Sequence, residues 1–111
     1  MSESSNGYAC EAGAQDFTAT AYRDSKGQRW VTVTGTCSCQ TSGYKLKLAL
    51  ASPLLVPVPE ELHVNLTEDE PNGPVLDVIT PTEVESKFKI SDEVERVVFR
   101  NRNFSVEIKK E

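Results

Sequence analysis

The side chains with the most chemical reach in this chain are its three cysteines and its one histidine. The stretch "TGTCSCQTSG" (34–43) sets Cys37 and Cys39 one residue apart, with Cys10 upstream and His63 downstream. Four such ligands suffice in number for a tetrahedral zinc site, but C-x-C is not the C-x₂-C knuckle that wraps one ion. An extended strand over 29–39 reads the pair differently, because side chains at i and i+2 share a face. Val31, Val33, Gly35, Cys37 and Cys39 then lie together, opposite Trp30, Thr32, Thr34, Thr36 and Ser38. On a core face a free cysteine behaves as a small hydrophobe. Core thiols are therefore the first reading, a disulfide to Cys10 the second, and a zinc site of Cys10, Cys37, Cys39 and His63 the third. A bulge at Gly35 would carry Cys37 and Cys39 to the Trp30 face and restore the metal reading. His63 sits between Leu62 and Val64, so it points away from their face, with no acidic partner evident beside it in the sequence.

Other constellations carry less. Glu68, Glu70, Asn72 and Gly73 match the first half of an EF-hand loop, but the twelfth position is Ile79 where a bidentate glutamate is needed. "SGYK" (42–45) fits S-x-x-K in letters only, since Tyr44 and Lys45 open a strand rather than a helical turn. No G-x-S-x-G, H-E-x-x-H, phosphate-loop or dinucleotide fingerprint is present. His63 has no evident nucleophile to serve, and Asp77 with Glu83 or Glu85 is a carboxylate pair in principle only. These observations predict a protein that is not an enzyme and carries no cofactor. "NLT" (65–67) and "NFS" (103–105) are glycosylation sequons that matter only in a eukaryotic secretory setting.

Alternation of apolar and polar residues predicts strands nearly everywhere after residue 16. The segments are 16–23, 29–39, 44–51, 62–66, 75–80, 83–90, 96–101 and 104–110; in the third, Tyr44, Leu46, Leu48 and Leu50 share one face, and Lys45 and Lys47 mark the other as wet. "DSKGQ" supplies a turn with Gly27 at positive φ, and the last two strands form a hairpin around Arg102 with an asparagine in the left-handed region. "ISDEVERVVF" could open a helix at Ser91 or Asp92, but the hairpin pattern of "VVFRNRNFSVEI" favours a strand. Residues 1–15 are expected to be a flexible segment and 16–111 a single domain. About eight short strands predict an all-β fold, an antiparallel immunoglobulin-like β-sandwich, with a small β-barrel as the other option.

Bulk properties narrow the partners. Acidic residues outnumber basic ones 17 to 12, a formal charge of -5 over 111 residues, which disfavours nucleic acid. Arg96, Arg100, Arg102, Lys109 and Lys110 make the last hairpin basic, with Phe99 and Phe104 expected in the core. No apolar run approaches the length of a membrane span, so no membrane partner is expected. The polar opening "MSESSNGYAC" and an odd cysteine count predict a cytoplasmic protein.

"VTVTGTC" (31–37), "TSGY" (41–44), "NGPVLDVIT" (72–80) and "EV" (83–84) together resemble a family of small uncharacterised bacterial β-rich proteins. Its pattern is V-T-V-T-G-x-C, a turn ending in Gly-Tyr, and G-P-V-x-x-V-I-T, over about half the chain. The extra Cys39 and the longer basic hairpin depart from it. The resemblance implies a bacterial cytoplasmic β-domain and brings no site residue with it. The expected function is a non-enzymatic protein–protein interaction or assembly module, acting on an unknown protein partner or by self-association. Its candidate surfaces are a sheet edge, the loop "TEDEPNGP" (67–74), or Leu54, Leu55 and Val56 in the proline-rich loop. The alternative is a small-ligand or zinc-binding domain using Cys10, Cys37, Cys39 and His63.

Overall fold

The computed structural model describes residues 8–51 and 58–110. Leu54, Leu55 and Val56 lie outside the described residues. Eight strands form: β1 (Cys10–Glu11), β2 (Phe17–Arg23), β3 (Arg29–Cys39), β4 (Lys45–Leu50), β5 (Glu61–Asp69), β6 (Thr80–Lys89), β7 (Arg96–Phe99) and β8 (Phe104–Lys110). A short 3-10 turn, Ala14–Asp16, leads into β2.

β3 is the hub of the sheet. β1 and β2 share one of its edges and β6 pairs along the other. From β2 the order continues through β8, β7 and β5 to β4. β4 and β6 then run alongside each other, and the Ser86 hydroxyl donates to Leu48 O at 3.5 Å, but no ladder joins them. The result is one mixed all-β sheet, curled round a core and open along that seam.

Why β3 buries the residues it does comes from its alternation. Val31, Val33, Cys37 and Cys39 are fully buried, and the β3–β6 register runs unbroken from Trp30↔Lys89 to Cys39↔Thr80. Gly35 therefore does not bulge. Its missing side chain makes room for Phe17, whose Cδ2 would stand 2.3 Å from a Cβ built there. Phe17 in turn packs on Phe99 (ring centroids 4.7 Å) and Phe104 (6.0 Å). Val64, Leu66, Val97 and Phe99 complete the deepest layer, each contributing about 1.5–3 kcal/mol by burial.

Turn chemistry agrees with the residue types. Gly27 takes φ 84° between β2 and β3, and Asn103 takes φ 62° in the β7–β8 hairpin. The segment that could have been a helix forms a turn, with the Val94 N–H donating to Ser91 O, before β7 begins.

Four expectations need correction. The sheet is not purely antiparallel: β2 pairs β8 and β5 pairs β7 in parallel. A period of two is common to both pairings, so alternation carries no information about strand direction. Residues 75–79 form no strand, and β6 starts only at Thr80. Leu50, expected inward with Leu46 and Leu48, is 48% exposed at the end of edge strand β4. Finally, the fold begins before residue 16, because Cys10 and Glu11 are paired on β3.

Candidate functional site

The cysteine end of β3 is a clamp on the start of the chain. Cys10 faces Cys39, and the Gln40 N–H donates to Ala9 O (3.0 Å) beside them. That flanking bond marks Cys10/Cys39 as a non-hydrogen-bonded pair, the position where cross-strand side chains come closest. Their sulfurs are joined in a disulfide across a sequence separation of 29. Cys37 is free and fully buried two residues along the same face. Burial pushes its thiol pKa up, against the opposing charge of Arg102, so it stays protonated and unreactive at neutral pH.

The clamp is fastened by polar groups from two other connections. Glu68 on β5 accepts the Ala9 and Cys10 N–H groups, each at 2.9 Å. Arg102, in the β7–β8 turn, donates to Cys10 O (2.8 Å) and to Glu68 Oε2 (3.2 Å). Its guanidinium lies 3.6 Å from the Tyr8 ring centroid, and the Tyr8 hydroxyl donates to Asn101 O. Only 3% of the Arg102 side chain is exposed, and its Nε has no partner among the described residues. Every contact here fixes β1, so the cluster reads as a structural device.

Of the four proposed zinc ligands, Cys10 and Cys39 are thus spent on each other, with Cys37 adjacent. His63 is elsewhere, on the outer face of β5. Its Nδ1 accepts from Arg100 Nε (3.1 Å), which leaves Nε2–H to donate to Glu61 Oε1 (2.8 Å). Glu61 Oε2 also accepts from Arg96 Nε and Nη2, both at 3.2 Å. The hydrogen bond from His63, with the Arg96 contacts, holds the Glu61 carboxyl below its usual range. An acidic partner was therefore present in the sequence at position i−2, which shares a strand face with His63. Among the described residues, no group of three or more His, Cys, Asp or Glu could hold a metal ion.

The cysteine count also reads differently. Three cysteines resolve into one disulfide and one buried thiol, so their parity does not speak for a reducing compartment. Disulfides persist chiefly in oxidising ones. No helix among the described residues is long and apolar enough to cross a membrane.

The segment expected to be a strand at 75–80 carries the largest run of exposed apolar side chains among the described residues. Leu76 (69%), Ile79 (68%) and Val78 (57%) are exposed, with Val75 beside them at 37%. The segment is tied down at one residue: the Leu76 N–H donates to Ser42 Oγ (2.9 Å) and the Ser42 N–H to Leu76 O (3.0 Å). Gly43 secures the approach. Its φ is 91°, and a Cβ there would stand 2.7 Å from Pro71 Cβ and 3.2 Å from Val75 Cγ1. The N–H groups of Val75, Asp77, Val78 and Ile79 have no partner among the described residues. A groove of about 630 Å³ runs beside the strip, lined by Ser42, Lys45, Asp69, Glu70, Pro71 and Val75.

No protein-family model, curated protein or solved structure matches this chain. The functional reading therefore rests on surface chemistry. The run "VLDVI" between Pro74 and Pro81 was the available signal, since four apolar residues bounded by prolines need a partner strand to be buried.

Proposed function

We propose that this protein is a non-enzymatic interaction module whose recognition surface is the strip 75–79. The observation that carries the reading is the exposure of Val75, Leu76, Val78 and Ile79 in one contiguous stretch. Contiguous apolar surface on a folded domain marks a docking site, whereas single exposed apolar residues are ordinary. The surrounding fold supports it: the strip hangs from a sheet held by the disulfide, the Glu68–Arg102 clamp and the Phe17–Phe99–Phe104 cluster. A rigid scaffold carrying an exposed apolar segment outside its ladders suits recognition better than catalysis. The zinc-binding alternative is less well supported, because it needs thiolates from Cys10 and Cys39.

The test compares proteins that co-purify with the wild type and with a Leu76→Asp/Ile79→Asp variant. Both positions are exposed, so the variant should keep its melting temperature to within a few degrees. The wild type is expected to retain a partner that the variant loses. The same partners on both would remove the strip from consideration.

A further inference from the structure

The charge around the strip specifies its partner more closely, and this step rests on the interaction reading above. Between Thr67 and Ser86 the chain holds six acidic residues and no Lys or Arg. Glu68 is consumed by Arg102, but Asp69, Glu70, Asp77, Glu83 and Glu85 are all exposed. Lys45, opposite Asp69 in the β4–β5 ladder, is the one cation lining the adjoining groove among the described residues. Asp69 and Glu70 line that groove beside Val75, and Asp77 lies within the strip, so the apolar side chains at 75–79 have more acidic than basic neighbours. Glu83 and Glu85 lie farther along β6, beside Gln15 and Asp16.

The backbone of the strip adds a second constraint. Its four N–H groups without a partner among the described residues lie directly before β6, in a segment rich in apolar side chains. An extended partner lying along this segment can offer main-chain acceptors to those N–H groups, while its alternate side chains give specificity. A second copy of this chain would bring the same acidic surround against itself, and like-charge juxtaposition disfavours that pairing.

We infer that the strip binds an extended segment of a different protein, one in which apolar residues alternate with Lys or Arg. The apolar residues cover Leu76, Val78 and their neighbours, while the cations face Asp77, Glu70 and Asp69. Desolvation of the strip supplies the affinity. The charges supply partner choice and association rate.

Two labelled synthetic peptides test this by fluorescence anisotropy: one alternating valine with lysine, the other alternating valine with glutamate. The lysine peptide should bind at least about ten-fold more tightly, and its affinity should fall as salt screens the contact. Hydrogen exchange should slow at the amides of residues 75–79 when it binds. Glu70→Lys and Asp77→Lys together should abolish the preference between the peptides. Equal binding of both peptides, or binding without amide protection, overturns the inference. Partner capture that still depends on Leu76 would then leave the interaction reading standing, whereas capture indifferent to Leu76→Asp overturns both.

Discussion

Replacing Gly35 with alanine probes the packing logic of the sheet at one atom. The new Cβ would stand 2.3, 2.5 and 2.6 Å from Phe17 Cδ2, Cε2 and Cγ, where ordinary contact begins near 3.4 Å. The ring must therefore move by about 1 Å. It has little room, being 4% exposed with Phe99 4.7 Å away on one side and Phe104 at 6.0 Å. Overpacking of this kind costs about 1–3 kcal/mol. Against it stands the gain of about 0.4–1 kcal/mol that Gly→Ala brings through the unfolded chain. The expected net loss is about 1–2 kcal/mol, a fall in melting temperature of roughly 4–9 °C for a domain of this size. Urea titration followed by circular dichroism measures it, with Phe17→Leu/Gly35→Ala as the control. The double variant should lose less than the sum of the two single ones, since the smaller side chain relieves the clash. A Gly35→Ala protein as stable as the wild type would refute the ring-over-glycine account.

The clamp and two hydrogen-bonded carboxylates yield the further outcomes. In denaturant without reductant, thiol titration should find one reactive cysteine, and three after reduction; Cys39→Ser should cost about 3–4 kcal/mol from the released loop closure. Acid should weaken the fold through Glu61 and Asp24, whose carboxyl pKa values are lowered chiefly by hydrogen bonds from His63 and Trp30. Because the folded values lie below the unfolded ones, their contribution is full at neutral pH and is lost as pH falls below about 4. Glu61→Gln should flatten that acid limb of a melting-temperature profile while leaving its neutral side nearly level.

Much of the sheet was legible because alternation and turn chemistry are local. The 29–39 segment matched β3 residue for residue, and the burial of Cys37 and Cys39 continued the face of the valines preceding them. Gly27 and Asn103 supplied the two positive-φ turns their residue types suggested. The β7–β8 hairpin was legible, but the parallel partners were not, because β2 meets β8 from the far end of the chain and β5 meets β7 across an intervening strand. The disulfide was one of three open readings for the same reason: only the β1–β3 register brings Cys10 opposite Cys39 rather than Cys37. Residues 75–80 show the converse. Their strand propensity is real, but residues 75–79 find no ladder, and an expected core strand becomes an exposed strip. The Glu61–His63 contact was missed although its i, i+2 spacing was visible.

The central claim is that residues 75–79 form the surface this protein presents to a partner. A photo-crosslinking amino acid at position 76, compared with one at the exposed position 36 on the outer face of β3, tests it in the cells that make the protein. The account predicts a discrete protein adduct from position 76 and none from position 36. Adducts of equal yield from both positions, or none from position 76, would contradict it.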